Sequence, residues 1–194
     1  MATLLALPPF ELCSPLIITR RGRQPKQTRT PAAVRAQRAG YDGVEIHGAH
    51  GYIVCQFLSG ETNQRTDEYG GSLANRQRLL MEIASGVRAH CGPDFLLGVR
   101  VSPERFGMQL DEVLNTCQQL IDQDLADFLD ISLWDSFKLP AEEAHQHQSL
   151  LAHFAQLNFS DVKLTVAGKI RTAQECMDVM AANVDFVTIG RAAI

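Results

Sequence analysis

Phe95-Leu96-Leu97-Gly98-Val99-Arg100-Val101, FLLGVRV, is a nearly unbroken apolar run with one arginine near its end. Such a run fits a strand covered on both faces, as in a parallel sheet, better than an alternating antiparallel strand. Its flanks agree. Upstream, Ser72 can cap a helix with apolar positions at Leu73, Leu80, Ile83 and Val87, closed by Cys91-Gly92-Pro93. Downstream, Leu110, Val113, Leu114, Cys117, Leu120 and Ile121 recur at helical spacing. The alternation continues in both directions. Pro31 to Ala39 reads as a helix ended by Gly40, and Val44 to Ile46 as a short strand. A polar, Gly-rich stretch runs from Ser59 to Gly71. Phe128 to Leu133 reads as a strand, and about Glu142 to Leu157 as a helix. Val162, Leu164 and Val166 mark another strand. Thr172-Ala173-Gln174-Glu175 is a capping box opening a helix with Cys176, Val179 and Met180 inward, and Phe186 to Ile189 is the last strand.

Strands separated by helices are arranged economically only as a parallel sheet with helical crossovers. A doubly wound sheet and a (β/α)8 barrel both satisfy that order. The polar residues favour the barrel. His47, Arg100, Gly168 and Gly190-Arg191 fall at or just after the C-terminal ends of different strands, the face on which barrels build active sites. The two last strand ends read Val166-Ala167-Gly168-Lys169 and Thr188-Ile189-Gly190-Arg191. Consecutive late strands of a barrel commonly hold a phosphate. Glycine lets it approach backbone N–H groups, and Arg191 adds a charge and a fork of donors. The G-x-G-x-x-G turn usual in dinucleotide-binding doubly wound sheets is absent. A closed barrel needs eight strand–helix units and about 250 residues, whereas the pattern counts five strands. The expected fold class is therefore α/β, a partial (β/α)8 TIM barrel.

Composition excludes other classes. The chain has 194 residues, 45% of them hydrophobic and 21% charged, which suits one domain with a real core. A net charge of −4 gives no support for a nucleic-acid partner, and no apolar run is long enough to span a membrane. Cys13, Cys55, Cys91, Cys117 and Cys176 are scattered without a C-x-x-C, which suits a reducing, cytoplasmic compartment and neither a zinc ribbon nor an iron–sulfur cluster. Before residue 39, Arg20, Arg21, Arg23, Lys26, Arg29, Arg35 and Arg38 supply seven of the 18 basic residues, and Glu11 is the only acid before Asp42. Residues 1–30 read as an irregular leader; their Arg-rich, acid-poor character also suits organelle import.

The stretch GVEIHGAHGY, Gly43 to Tyr52, places His47, His50 and Tyr52 within six residues directly after a strand. Alternation puts Glu45 on the face of His47, opposite Ile46. A metal would need a third and usually a fourth ligand, for which only Glu45 and Cys55 lie near in sequence, so no metal is expected. Two imidazoles can instead converge on one oxygen and polarise a carbonyl or nitro group, as an oxyanion hole does. A nearby tyrosine hydroxyl can deliver a proton to carbon. The missing hydride calls for a phosphate-bearing cofactor at the late strands.

The run GVEIHGAHGYIVCQFLSGETNQRTDEYGGSLANRQRLLMEI resembles the central signature of the old yellow enzyme family, the FMN-dependent ene-reductases on a (β/α)8 barrel. The resemblance joins the histidine pair, Tyr52, Gln56-Phe57-Leu58, Asn63, Arg65-Thr66-Asp67, Tyr69-Gly70-Gly71 and Asn75-Arg76. It continues through Gly98-Val99-Arg100-Val101-Ser102-Pro103 to Gly190-Arg191. It implies that His47 and His50 bind the electron-withdrawing oxygen of an activated alkene, and that Tyr52 protonates the α-carbon. FMN, reduced by NADPH or NADH, would give hydride to the β-carbon. Arg100 matches the arginine beside the flavin ring; Gly168, Gly190 and Arg191 match the phosphate cradle. Arg65, Asp67 and Tyr69 read as structural.

Gly60 stands where the family usually has proline. Residues 1–30 do not resemble the family's first three strands, so residues 31–194 correspond to about strands 4 to 8, an N-terminally truncated member. The expected activity is reduction of the activated C=C bond of α,β-unsaturated carbonyl or nitro compounds with NAD(P)H, with a homo-oligomer completing the barrel. The alternative is a catalytically silent barrel remnant serving as an interaction module. A metal-dependent barrel hydrolase is a third reading.

Overall fold

The computed structural model describes residues 31–193; the leader expected over residues 1–30 lies outside the described residues. Strands β1 (Gly43–Gly48), β2 (Leu96–Val101), β3 (Phe128–Ser132), β4 (Lys163–Ala167) and β5 (Phe186–Val187) form one sheet in the order β1-β2-β3-β4-β5, every neighbouring pair parallel. This order separates the two architectures that periodicity left open. A doubly wound sheet reverses its strand order at a switch point, whereas a barrel adds each strand beside the last. The sheet is a continuous barrel segment.

Its helices are α1 (Pro31–Arg38), α2 (Ile53–Leu58), α3 (Leu73–Arg76), α4 (Arg78–Cys91), α5 (Leu110–Asp122), α6 (Leu150–Ala155) and α7 (Ala173–Met180). Strand alternation divides the sheet into two faces. Val44, Ile46, Leu97, Val99, Val101, Leu129, Ile131, Leu164 and Val166 are buried in one core with Leu80, Ile83 and Val87 of α4 and Leu110, Val113, Cys117 and Leu120 of α5. The other face carries Glu45, His47, Arg100, Asp130 and Thr165. At its N-terminal end Phe128 lies across Gly98, where a Cβ would run into the ring. Leu96 and Phe186 on this inner face are 45% and 43% exposed.

The Ser59–Gly71 stretch has no regular element, but it is tied down internally. Asn63 Nδ2 donates to the carbonyls of Phe57 and Tyr69, each at 2.7 Å, and Arg65 Nε donates to Asp67 Oδ1 at 3.0 Å. Arg76, 6% exposed, closes the segment. It donates to Leu58 O at 2.6 Å and Gly71 O at 3.0 Å, and pairs with Glu112 of α5.

Two expectations are corrected, and one helix was not expected. The helix expected over about Glu142 to Leu157 is a 3-10 turn at Glu143–His145 followed by α6, because Ser149 caps a new start by accepting from Ala152 N. The short α2 is a helix that the Gly-rich surroundings of the motif concealed. In α7 Val179 is buried as expected, but Met180 is 41% exposed. Among the described residues, no helix is long and apolar enough to cross a membrane.

Candidate active site

The histidine pair is held by a turn whose backbone the sequence makes affordable. His47 is the penultimate residue of β1; His50 and Gly51 follow with φ of 59° and 74°. Glycine takes that conformation without strain, and His50 is held in it by its N–H donating to Ser102 Oγ at 3.1 Å. Gln56 Nε2 donates to Gly51 O at 2.7 Å, and Tyr52 sits at the N-cap of α2. The three rings meet: His47 lies 5.2 Å from His50 and 5.1 Å from Tyr52, centroid to centroid. Tyr52 is 55% exposed, so its hydroxyl is accessible.

Both imidazoles are biased toward the neutral form. Burial, then His50 and Arg100, pull His47 down to about 4. Partial burial and Arg100 lower His50, opposed by Asp130. A neutral imidazole has one N–H to donate, which is what polarising an oxygen requires.

Arg100 projects from β2 in register with His47 on β1 and Asp130 on β3. Its Nε donates to Asp130 Oδ2 at 2.7 Å and to Glu45 Oε1 at 3.3 Å. Burial opposes its charge, but Asp130 and Glu45 outweigh that and hold the guanidinium firmly protonated. Sequence reasoning placed Glu45 on this face and missed Asp130. The available signal was an acidic residue inside the apolar strand Phe128–Ser132.

Gly168 follows β4, and a Cβ there would come within 2.8 Å of Ser136 N and 2.9 Å of Ser136 Oγ. Its small size therefore admits the loop after β3, whose Ser136 Oγ donates to Gly168 O at 2.9 Å. Gly190 differs: a Cβ there would meet nothing within 4 Å. A cavity of about 290 Å³ gathers His50, Arg100, Gly168, Lys169, Gly190 and Arg191 on its wall. His47 and Tyr52 stand beside it, across His50. Arg171 is a fourth cation there; Lys169 is paired with Asp135 at 2.9 Å and Arg100 with Asp130, which leaves Arg171 and Arg191 as the cations without an ion-paired carboxylate among the described residues. Trp134, 59% exposed, borders the cavity with Arg105 stacked 4.6 Å from its ring centroid; sequence reasoning missed it. A cationic, glycine-bearing cleft near the lower end of ligand-pocket sizes, about 300 Å³, fits a phosphate-bearing group. Among the described residues, no group of three or more His, Cys, Asp or Glu could hold a metal.

The model of the NADH:flavin oxidoreductase / NADH oxidase family matches residues 23–194. The chain belongs to that family. The flavin and nicotinamide in that family's name agree with the cofactors that the old yellow enzyme resemblance implied. The chain is 35% identical over 167 residues to the probable NADH-dependent flavin oxidoreductase YqiG of Bacillus subtilis, covering 82% of this chain and 45% of the relative. It is 44% identical over 104 residues to the NADH-dependent flavin oxidoreductase nadA of Aspergillus parasiticus, covering 52% and 23%. Among solved structures, the old yellow enzyme homologue of Zymomonas mobilis superposes with a TM-score of 0.68 at 28% identity, covering 82% of this chain and 45% of that one. Morphinone reductase in complex with tetrahydroNAD gives 0.64 at 31% identity, covering 82% and 42%. The chain spans less than half the length of these relatives.

Proposed function

We propose that residues 31–194 supply the substrate-polarising and phosphate-binding part of an FMN-dependent oxidoreductase that reduces activated C=C bonds with NADH or NADPH. The observation that carries this reading is the meeting of His47, His50 and Tyr52 beside a cleft lined by Arg100, Arg171, Arg191 and the Asp135-paired Lys169.

His47 and His50 donate to the carbonyl or nitro oxygen of the alkene and stabilise the negative charge that develops there. Tyr52, accessible beside them, gives its phenolic proton to the α-carbon. Arg100 borders the cofactor end of the cleft; Gly168, Gly190 and Arg191 receive the phosphate. FMN, when bound, supplies the hydride for the β-carbon. The partner proposed for the open inner face is a second copy of the chain, which would cover Leu96 and Phe186.

An FMN titration of the purified chain, read by flavin fluorescence, tests this. Binding in the micromolar range or tighter, weakened at least tenfold by Arg191→Gln, is expected. No binding at high FMN by folded protein overturns the reading in favour of a silent remnant.

A further inference from the structure

The charges around Arg100 do not close unless a proton is added. Asp130 is 2% exposed; its Oδ2 takes Arg100 Nε at 2.7 Å, while its buried Oδ1 has no hydrogen-bond partner. A buried carboxylate oxygen without a donor is costly, and such atoms are rare in native proteins. Glu45 projects from β1 onto the same face, 3.3 Å from Arg100 Nε and within reach of the Asp130 carboxyl. Two carboxylates and one guanidinium leave a net charge of −1 in a partly desolvated place. One proton cancels that charge and supplies the missing donor.

We propose that Glu45 is a positioning residue that carries this proton and donates it to Asp130 Oδ1, leaving the Glu45–Arg100–Asp130 cluster neutral and Arg100 aimed at the cavity. Fully ionised, the two acids would draw the guanidinium between them and set a negative charge behind the imidazoles.

The environment supports it. Burial, resisted by Arg100 and reinforced by Asp130, lifts Glu45 to about 7. Burial likewise raises Asp130, but Arg100 holds it more closely, at 2.7 Å against 3.3 Å for Glu45, and so favours its charged form more. The groups facing Glu45 are His47 on its own strand, His50 on the following turn, Arg100 on β2 and Asp130 on β3. Both imidazoles are held down, so near neutrality the carboxyl pair titrates against Arg100 alone. A carboxyl pair sharing one proton behaves as a unit, with its two titrations pushed apart. The inference concerns the chain's own residues and does not need bound flavin, so it stands or falls separately from the proposed function.

The experiment is side-chain carboxyl carbon NMR on protein labelled in Glu and Asp, without flavin, from about pH 4 to pH 9. One glutamate carboxyl titrating near pH 7, and missing in a folded Glu45→Gln variant, is expected. Asp130→Asn should move that titration down and Arg100→Met should move it up, opposite shifts that general loosening would not produce. The proposal is overturned if every glutamate of the wild-type chain titrates below about pH 5.5. It is equally overturned if neither neighbouring substitution moves the signal. The wild-type titration decides the matter even if a variant fails to fold.

Discussion

Glu45 and His47 lie two residues apart on one strand, yet they should drive stability in opposite directions with pH. Glu45 is raised from an ordinary 4.5 to about 7. Between those values the native state holds a proton that the unfolded chain has released. Its contribution is therefore full below pH 4.5 and is lost as pH rises through 7. His47 is lowered from 6.5 to about 4. There the unfolded chain binds a proton that the native state refuses, so its contribution is full above pH 6.5 and is lost as pH falls through 4. Each pKa unit is worth about 1.4 kcal/mol, so each displacement corresponds to about 3 kcal/mol at most, and about 2 after discounting for partial solvent access. In the wild-type chain the two slopes nearly cancel over their common range. Glu45→Gln removes one slope and His47→Gln the other. Urea denaturation followed by circular dichroism, repeated in half-unit steps of pH, should give mirror-image differences from wild type. Glu45→Gln should gain about 2 to 3 kcal/mol between pH 4.5 and 7, and His47→Gln should lose a similar amount between pH 4 and 6.5. Two flat difference curves, or two with the same sign of slope, would refute the reasoning.

Four other outcomes are expected. Tyr52→Phe should slow alkene reduction by about a hundredfold or more while flavin reduction by NAD(P)H stays within a fewfold, measured as separate half-reactions by stopped flow; equal loss in both would remove Tyr52 as proton donor. Arg76→Met should cost about 2–3 kcal/mol in denaturant, because it removes the buried member of the pair and strands the partly exposed Glu112 carboxylate and the Leu58 and Gly71 carbonyls. Adding Glu112→Gln should recover part of that loss, and a single-variant cost under about 1 kcal/mol would show that Arg76 does not hold the segment. Gly168→Ala should cost about 1–3 kcal/mol by pushing against Ser136, with Ser136→Gly relieving some of it, whereas Gly190→Ala should leave thermal stability nearly unchanged. Trp134→Ala should free Arg105 from its ring and change KM for bulky alkenes more than kcat.

The sequence determined much of what depends on short range. Apolar periodicity placed every strand, because a run such as FLLGVRV can only be covered on both faces. The Thr172–Glu175 capping box formed as read, since both of its hydrogen bonds lie within one helical turn. His47, His50 and Tyr52 met because six residues across one tight turn leave them little room to part. Tertiary structure alone decided the rest. Alternation assigns a residue to a face but not to a neighbour, so the approach of Asp130 to Arg100 waited on the parallel register of β2 with β3. The contact of Ser136 with Gly168 joins two loops 32 positions apart, and the cavity joins His50 to Arg191 across the whole sheet. Periodicity alone left barrel and doubly wound sheet open; the polar residues at the strand ends favoured the barrel, and the strand order, which long-range packing fixes, agrees with it.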